Sequence, residues 1–225
     1  MRIARFDRLT VLNTIVDQGI MTLFHDEDLD TVIAVASAVH AGGGRIFEFT
    51  NRVEHALDIF GELVRHAEHH LPDLIVGTGS VEDAPTAAQF IAAGSSFIVS
   101  PILVEETAYL CNRHKIAYLP GTMTIKEVAD AETLGVELVK FYPANLPMGA
   151  QFVSATLMPR PWSRIVATGM ITVDDLEPWF EPGVAAVGTM SMVQPDLVQA
   201  GDFEAISQTV GAMLAKVEKI QSKRE

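Results

Sequence analysis

The sequence predicts an α/β fold, a (β/α)8 barrel of the TIM type with an extra N-terminal helix, and three observations predict it. Eight short β-like runs recur along the chain, helix-like stretches separate them, and 225 residues hold eight such units if the loops are short. Alternation of this kind implies parallel strands with right-handed crossovers. An open doubly wound sheet is the alternative that periodicity alone does not reject.

In order, a helix over Arg5–Gln18 leads into strand Gly19–Phe24, and helix Asp30–Ala41 into strand Arg45–Thr50. Helix Val53–His69 precedes strand Leu74–Gly77, Ala84–Ala93 precedes Ser96–Ser100, and Val104–His114 precedes Ile116–Leu119. Helix Ile125–Leu134 then leads to strand Glu137–Tyr142, followed by strands Arg164–Ala167 and Val184–Val187. A long last helix runs from Phe203 to Gln221. The glycines of Ala41-Gly42-Gly43-Gly44-Arg45 precede a strand rather than a helix, and read as a helix C-cap and turn. No linker or low-complexity segment interrupts this series, so residues 1–225 read as one barrel domain.

Composition narrows the function. Hydrophobic residues at 48% against 20% charged describe a chain that buries a core. No apolar run nears the roughly 20 residues of a membrane span. The opening Met1-Arg2-Ile3-Ala4-Arg5-Phe6-Asp7-Arg8 has no signal-peptide core. A single cysteine, Cys111, leaves no internal disulfide, so the expected location is the cytoplasm. A net charge of −13 argues against nucleic acid and anionic membrane as partners. A small anion could still bind wherever one positive side chain stands in a cleft.

The chemistry begins with lysine placement. Of six lysines, Lys216, Lys219 and Lys223 lie on the polar C-terminal helix, while Lys115 and Lys126 sit at helix boundaries. Lys140 alone is embedded in an apolar strand, Leu138-Val139-Lys140-Phe141-Tyr142. Alternation puts Leu138, Lys140 and Tyr142 on one face. The C-terminal end of a barrel strand is where barrel enzymes keep their reactive groups, and apolar surroundings favour the neutral, nucleophilic amine. A lysine that snorkels to the strand end is the alternative. Glu48 in Arg45-Ile46-Phe47-Glu48-Phe49-Thr50-Asn51-Arg52 follows the same logic, sharing a face with Ile46 and Thr50 while Phe47 and Phe49 pack outward. Strands two and six are both even-numbered, so Glu48 and Lys140 can project into one interior layer. Arg52, just past the strand end, can hold a carboxylate bidentately. A purely structural ion pair of Glu48 with Lys140 or Arg52 is the competing reading.

These residues resemble those of the bacterial 2-keto-3-deoxy-6-phosphogluconate / 4-hydroxy-2-oxoglutarate (KDPG/KHG) aldolases. The resemblance spans about Val32 to Val217 and rests on Ala41-Gly42-Gly43, Phe47-Glu48-Phe49-Thr50-Asn51-Arg52, Val76-Gly77-Thr78-Gly79-Ser80-Val81 and Val99-Ser100-Pro101. Leu119-Pro120-Gly121, Lys140-Phe141-Tyr142-Pro143-Ala144 and Ala200-Gly201-Asp202-Phe203 continue it. It implies a class I aldolase that forms pyruvate and an aldehyde from a 4-hydroxy-2-oxo acid. It also implies a homotrimer needing neither metal nor cofactor. By position, Lys140 matches the Schiff-base lysine and Glu48 the general acid/base. Arg52 and Ser80 match the carboxylate contacts, with Ser80 where the family usually has threonine. Pro101 and Tyr142 match pocket walls.

The departures fall in the phosphate turns, where the family typically shows Thr-Gly-Gly and Gly-Gly-Ser. This chain reads Thr168-Gly169-Met170 and Gly188-Thr189-Met190. The resemblance therefore implies substrate contact at Thr168, Gly169 and Gly188 but leaves a phosphorylated substrate unsupported. A sugar-phosphate epimerase or isomerase and a catalytically silent barrel binding a 2-oxo acid are the alternatives.

Three smaller features remain. His66, His69 and His70 have helical spacing that could hold a metal, although a solvated helix face explains them as well. His25 stands before an acidic cluster, Asp26-Glu27-Asp28, that reads as a helix N-terminus, with substrate contact as the alternative role for His25. Met158-Pro159-Arg160-Pro161-Trp162 reads as a surface loop.

Overall fold

A computed structural model describes residues 4–223. Met1-Arg2-Ile3, which opens the segment read above as lacking a signal-peptide core, lies outside the described residues. The strands are β1 (Ile20–Phe24), β2 (Ile46–Thr50), β3 (Ile75–Gly79), β4 (Phe97–Val99), β5 (Ala117–Leu119), β6 (Gly121–Thr122), β7 (Val139–Phe141), β8 (Ile165–Gly169) and β9 (Ala186–Thr189). All pair in parallel, in the order β5-β4-β3-β2-β1-β9-β8-β7-β6.

The expected eight strands thus appear, among the described residues, as nine segments, because the fifth stave of the barrel is split at Pro120. Proline has no N–H for a ladder. Below it, β5 bonds to β4; above it, β6 bonds to β7, with Lys140 N–H donating to the Pro120 carbonyl at 3.0 Å. The two edges of the sheet are therefore one stretch of chain, which closes the barrel. Gly121 stands in this seam, where a Cβ would overlap the Pro101 carbonyl oxygen. Because that neighbour is backbone and cannot swing aside, Gly121→Ala is expected to cost about 1–3 kcal/mol of overpacking, measured as a lowered Tm.

Side-chain alternation sorts the core into two layers. The interior holds Met21, Leu23, Ile46, Ile75, Phe97, Val99, Leu119, Leu138 and Val166. Helix α1 (Arg8–Gln18), capped by Asp7 accepting from Thr10 N–H, brings Val11, Leu12 and Ile15 into that same cluster. The extra N-terminal helix therefore seals the N-terminal end of the barrel and leaves the C-terminal end as the accessible one. Phe47, Phe49, Val139 and Phe141 belong to the outer cluster instead, against the helices.

Those helices are α2 (Leu29–Ala41), α3 (Ala56–His70), α4 (Ala84–Ala92), α5 (Glu105–His114), α6 (Ile125–Thr133), α7 (Gly149–Leu157), α8 (Leu176–Phe180), α9 (Pro195–Ala200) and α10 (Phe203–Gln221). Several carry the caps their sequences advertise: Asp28, Asp83 and Asp202 each accept from a first-turn N–H, and Thr124 with Glu127 forms a capping box. Asp28 thereby takes the helix-terminal role read for its acidic cluster. Cys111 is buried in α5, and burial pushes its thiol up to about 12, which leaves it an unreactive core residue. Among the described residues, no helix is long and apolar enough to cross a membrane.

Candidate active site

Chain direction puts the C-terminal strand ends at the open mouth, and four side chains converge there. Glu48, from β2, faces inward because Ile46 two residues before it lines the interior while Phe47 and Phe49 pack outward. It is 2% exposed. Burial raises its pKa above the ordinary carboxylate range, opposed by the positive charges of Lys140 and Arg52. Lys140, from β7, lies between outward-facing Val139 and Phe141 and is 5% exposed. Its pKa is lowered chiefly by burial, with Glu48 pulling it up and Arg52 pushing it down. Each group thus influences the protonation of the other, so they titrate as a pair. Lys140 Nζ lies 4.5 Å from the centroid of the Tyr142 ring, on the same strand face.

The geometry argues against a structural ion pair. Among the described residues, the ion pairs closer than 4.0 Å do not include Glu48 with Lys140 or with Arg52. Two buried ionisable groups without a direct clamp are costly to folding. That cost calls for a task beyond packing.

Arg52 emerges exposed from the loop after β2, and its Nε donates to Ser80 Oγ at 2.8 Å. Ser80 follows β3 with φ of +58°, a left-handed backbone that a non-glycine residue rarely adopts. The two are thereby held as a unit beside the buried pair. Pro101 follows β4 and abuts Gly121 across the barrel seam. Thr168 and Gly169 end β8, in register with Gly188 and Thr189 of β9. Glycine at 79 has a direct reason, since a Cβ there would overlap Glu48 Oε1. Gly79→Ala is therefore expected to displace the carboxylate and reduce turnover by about 10²-fold, with a smaller effect on Tm; steady-state kinetics and a thermal melt together would show it.

Sequence reasoning missed the contacts that order the rim. The Asn145 side chain, after β7, accepts from Met170 N–H at 2.8 Å and donates to the Met170 carbonyl at 3.2 Å. Thr189 Oγ1 accepts from the N–H groups of Ile171 (3.2 Å) and Ser191 (3.0 Å). His25, raised above only as an alternative, is bound through Nδ1 to Thr50 Oγ1 at 2.7 Å. On α3, the rings of His66 and His70 lie 4.6 Å apart, but among the described residues no group of three or more potential ligands is placed to hold a metal.

A family model, the KDPG and KHG aldolases, matches residues 11–209. The chain belongs to that family. KDPG/KHG aldolases are carbon–carbon lyases, and this chain is one. Among curated KDPG/KHG relatives, the 2-dehydro-3-deoxy-phosphogluconate aldolase of Pseudoalteromonas atlantica is 32% identical over 81% of this chain and 83% of its own length. The KHG/KDPG aldolase of Escherichia coli is 29% identical over 80% and 83%. The crystal structure of a 2-keto-3-deoxy-6-phospho-gluconate aldolase from Zymomonas mobilis superposes with a TM-score of 0.79 at 25% identity, covering 89% of this chain and 96% of that one.

Proposed function

We propose that this KDPG/KHG aldolase cleaves a 4-hydroxy-2-oxo acid to pyruvate and an aldehyde through a Schiff base on Lys140. The observation that carries the reading is the buried amine of Lys140 within electrostatic reach of the buried carboxylate of Glu48, at the open end of a barrel whose other end is sealed.

The neutral amine attacks the C2 ketone, and protonated Glu48 gives its proton as water leaves, which yields an iminium and the Glu48 carboxylate. Glu48 takes the proton of the C4 hydroxyl as the C3–C4 bond breaks. The electron pair of that bond passes into the iminium, giving an enamine and a free aldehyde. Glu48 then returns the proton to C3, and water hydrolyses the resulting iminium to release pyruvate. Arg52 and Ser80 hold the C1 carboxylate, with Pro101 and Tyr142 as walls. Thr168, Gly169 and Gly188 face the aldehyde half. Because the iminium is itself the electron sink, this route calls for neither metal nor cofactor.

Residues 1–225 serve as a single barrel domain in the cytoplasm, acting on a small anionic 2-oxo acid. A homotrimer is the proposed assembly. Apolar side chains left exposed at Met123, Ile125, Leu146 and Met148, around a groove floored by Phe141 and Phe152, support self-association. A silent scaffold would have no cause to keep an unclamped buried lysine and glutamate, and an epimerase or isomerase has no step for the lysine.

Borohydride reduction in the presence of pyruvate is the direct test. The expected product is a covalent adduct on the peptide containing Lys140. No adduct, or an adduct on another lysine, overturns the proposal.

A further inference from the structure

We propose that the aldehyde half of the substrate is an uncharged, hydroxyl-bearing group without a phosphate, and that His25 is the side chain that hydrogen-bonds it. The inference rests on the Schiff-base reading above and deepens it by naming the substrate class.

The rim divides into sectors. Lys140 stands on β7, and the Arg52–Ser80 unit follows β2 and β3. The other strand ends fall in two arcs: β4 and the split stave, where Pro101 abuts Gly121, and on the other side β8, β9 and β1, which are hydrogen-bonded neighbours in that order. With Pro101 as a wall of the first arc, a substrate anchored by its ketone on Lys140 and its carboxylate on Arg52 has the second for its far end.

Backbone N–H groups in such turns are what usually cradle a phosphate. Here four of them already have acceptors. Met170 N–H donates to Asn145, Ile171 and Ser191 to Thr189 Oγ1, and Thr172 to Asp175. Ser191 Oγ in turn donates to the Ile171 carbonyl. Met170, 57% exposed, adds bulk without a donor. A phosphate would have to break this network.

Charge points the same way. The segments that follow the three strands, 170–175, 190–194 and 25–28, carry Asp174, Asp175, Asp26, Glu27 and Asp28, and His25 is their one basic side chain. Lys216 of α10 reaches this region, but it donates to the Val173 carbonyl at 2.7 Å and faces Asp175. A dianion here would enter a net negative stretch of chain, and the nearby Arg52 is engaged by Ser80 and, on the reading above, by the substrate carboxylate.

His25 fits a neutral partner instead. It follows β1 directly, beside β2, and its Nδ1 is fixed by Thr50 at 2.7 Å. Nε2 is then the ring atom left to bond a ligand, and the ring is only partly buried. Burial and the nearby Arg52 charge favour the neutral ring, and Asp26 opposes them. A neutral imidazole donates to or accepts from a hydroxyl directionally, and gives a phosphate no charge to bind.

The experiment compares kcat/KM on 2-keto-3-deoxygluconate, its 6-phosphate and 4-hydroxy-2-oxoglutarate, for the wild-type chain, His25→Ala and Asn145→Ala. The wild-type chain is expected to prefer the unphosphorylated sugar acid by about tenfold or more. His25→Ala should lower that value about tenfold, a hydrogen bond's worth, and lower borohydride trapping of pyruvate much less, since pyruvate has no aldehyde half. Asn145→Ala, which frees Met170 N–H, should narrow the gap to the phosphate. A preference for either charged substrate, or equal losses of cleavage and trapping in His25→Ala, overturns the inference. If His25→Ala does not fold, the wild-type preference and Asn145→Ala decide it. Absence of the pyruvate adduct in the wild-type chain defeats the Lys140 reading itself, and this inference falls with it.

Discussion

Lys140→Met is expected to reduce turnover by about 10⁴-fold or more, to abolish borohydride trapping of pyruvate, and to leave Tm no lower than that of the unaltered chain. The first two effects follow from removing the atom proposed to form the covalent intermediate. The third follows from the pKa directions. Glu48 has a folded pKa raised by burial, so its contribution to stability is present below its unfolded value and is lost as pH rises through the folded value. Lys140 has a folded pKa lowered by burial, so its contribution is present above its unfolded value and is lost as pH falls through the folded value. Around neutral pH the chain therefore holds both groups at a cost. Methionine fills similar volume without a charge, and Glu48 can take a proton once its partner is gone. A fall in Tm beyond about 4 °C, the scale of 1–2 kcal/mol in a chain of this size, would show that Lys140 is a structural residue.

The visibility of Lys140 and the obscurity of Asn145 have one physical explanation. A charged residue inside an apolar alternating run has no bland environment available, so Lys140 and Glu48 stood out before any coordinates. Arg52 stood out because it closes the same strand. Strand positions were legible for a related reason: buried parallel strands read as short apolar runs between turns. Their limits shifted where residue type misleads. β3 runs on through Thr78 and Gly79, which look like a turn, because Thr50 and Gly79 remain in register on β2 and β3. Pro120 divides a stave that reads as one strand ending at Leu119. Helices α8 and α9, of five and six residues, are too short to display a period, and α7 starts at a left-handed Met148 with no side-chain cap. The rim network was invisible because its partners lie 25 residues apart for Asn145 and Met170 and 18 apart for Thr189 and Ile171. Hydrogen bonds between loops leave no local pattern.

Glu48→Gln is expected to separate carbon–carbon cleavage from imine formation. Glutamine keeps the shape but cannot accept the C4 hydroxyl proton, so cleavage should fall by about 10²–10⁴-fold. Imine formation needs the neutral amine and a proton for the departing water, which solvent can supply in place of Glu48, and here the sign of the coupling matters. The Glu48 charge raises the Lys140 pKa, against the lowering by burial and by Arg52. Removing that charge lowers the lysine pKa further and extends the neutral amine to more acidic solution. Trapping of pyruvate in Glu48→Gln should therefore persist to lower pH than in the unaltered chain, while cleavage is nearly lost. In the unaltered chain, the acid limb of kcat/KM should lie above the ordinary carboxylate range, because burial raises the Glu48 pKa, and it should report the pair rather than either residue. Should trapping and cleavage fall together in Glu48→Gln, or should the trapping midpoint move to higher pH, the carboxylate acts by holding Lys140 in place and not by moving the proton.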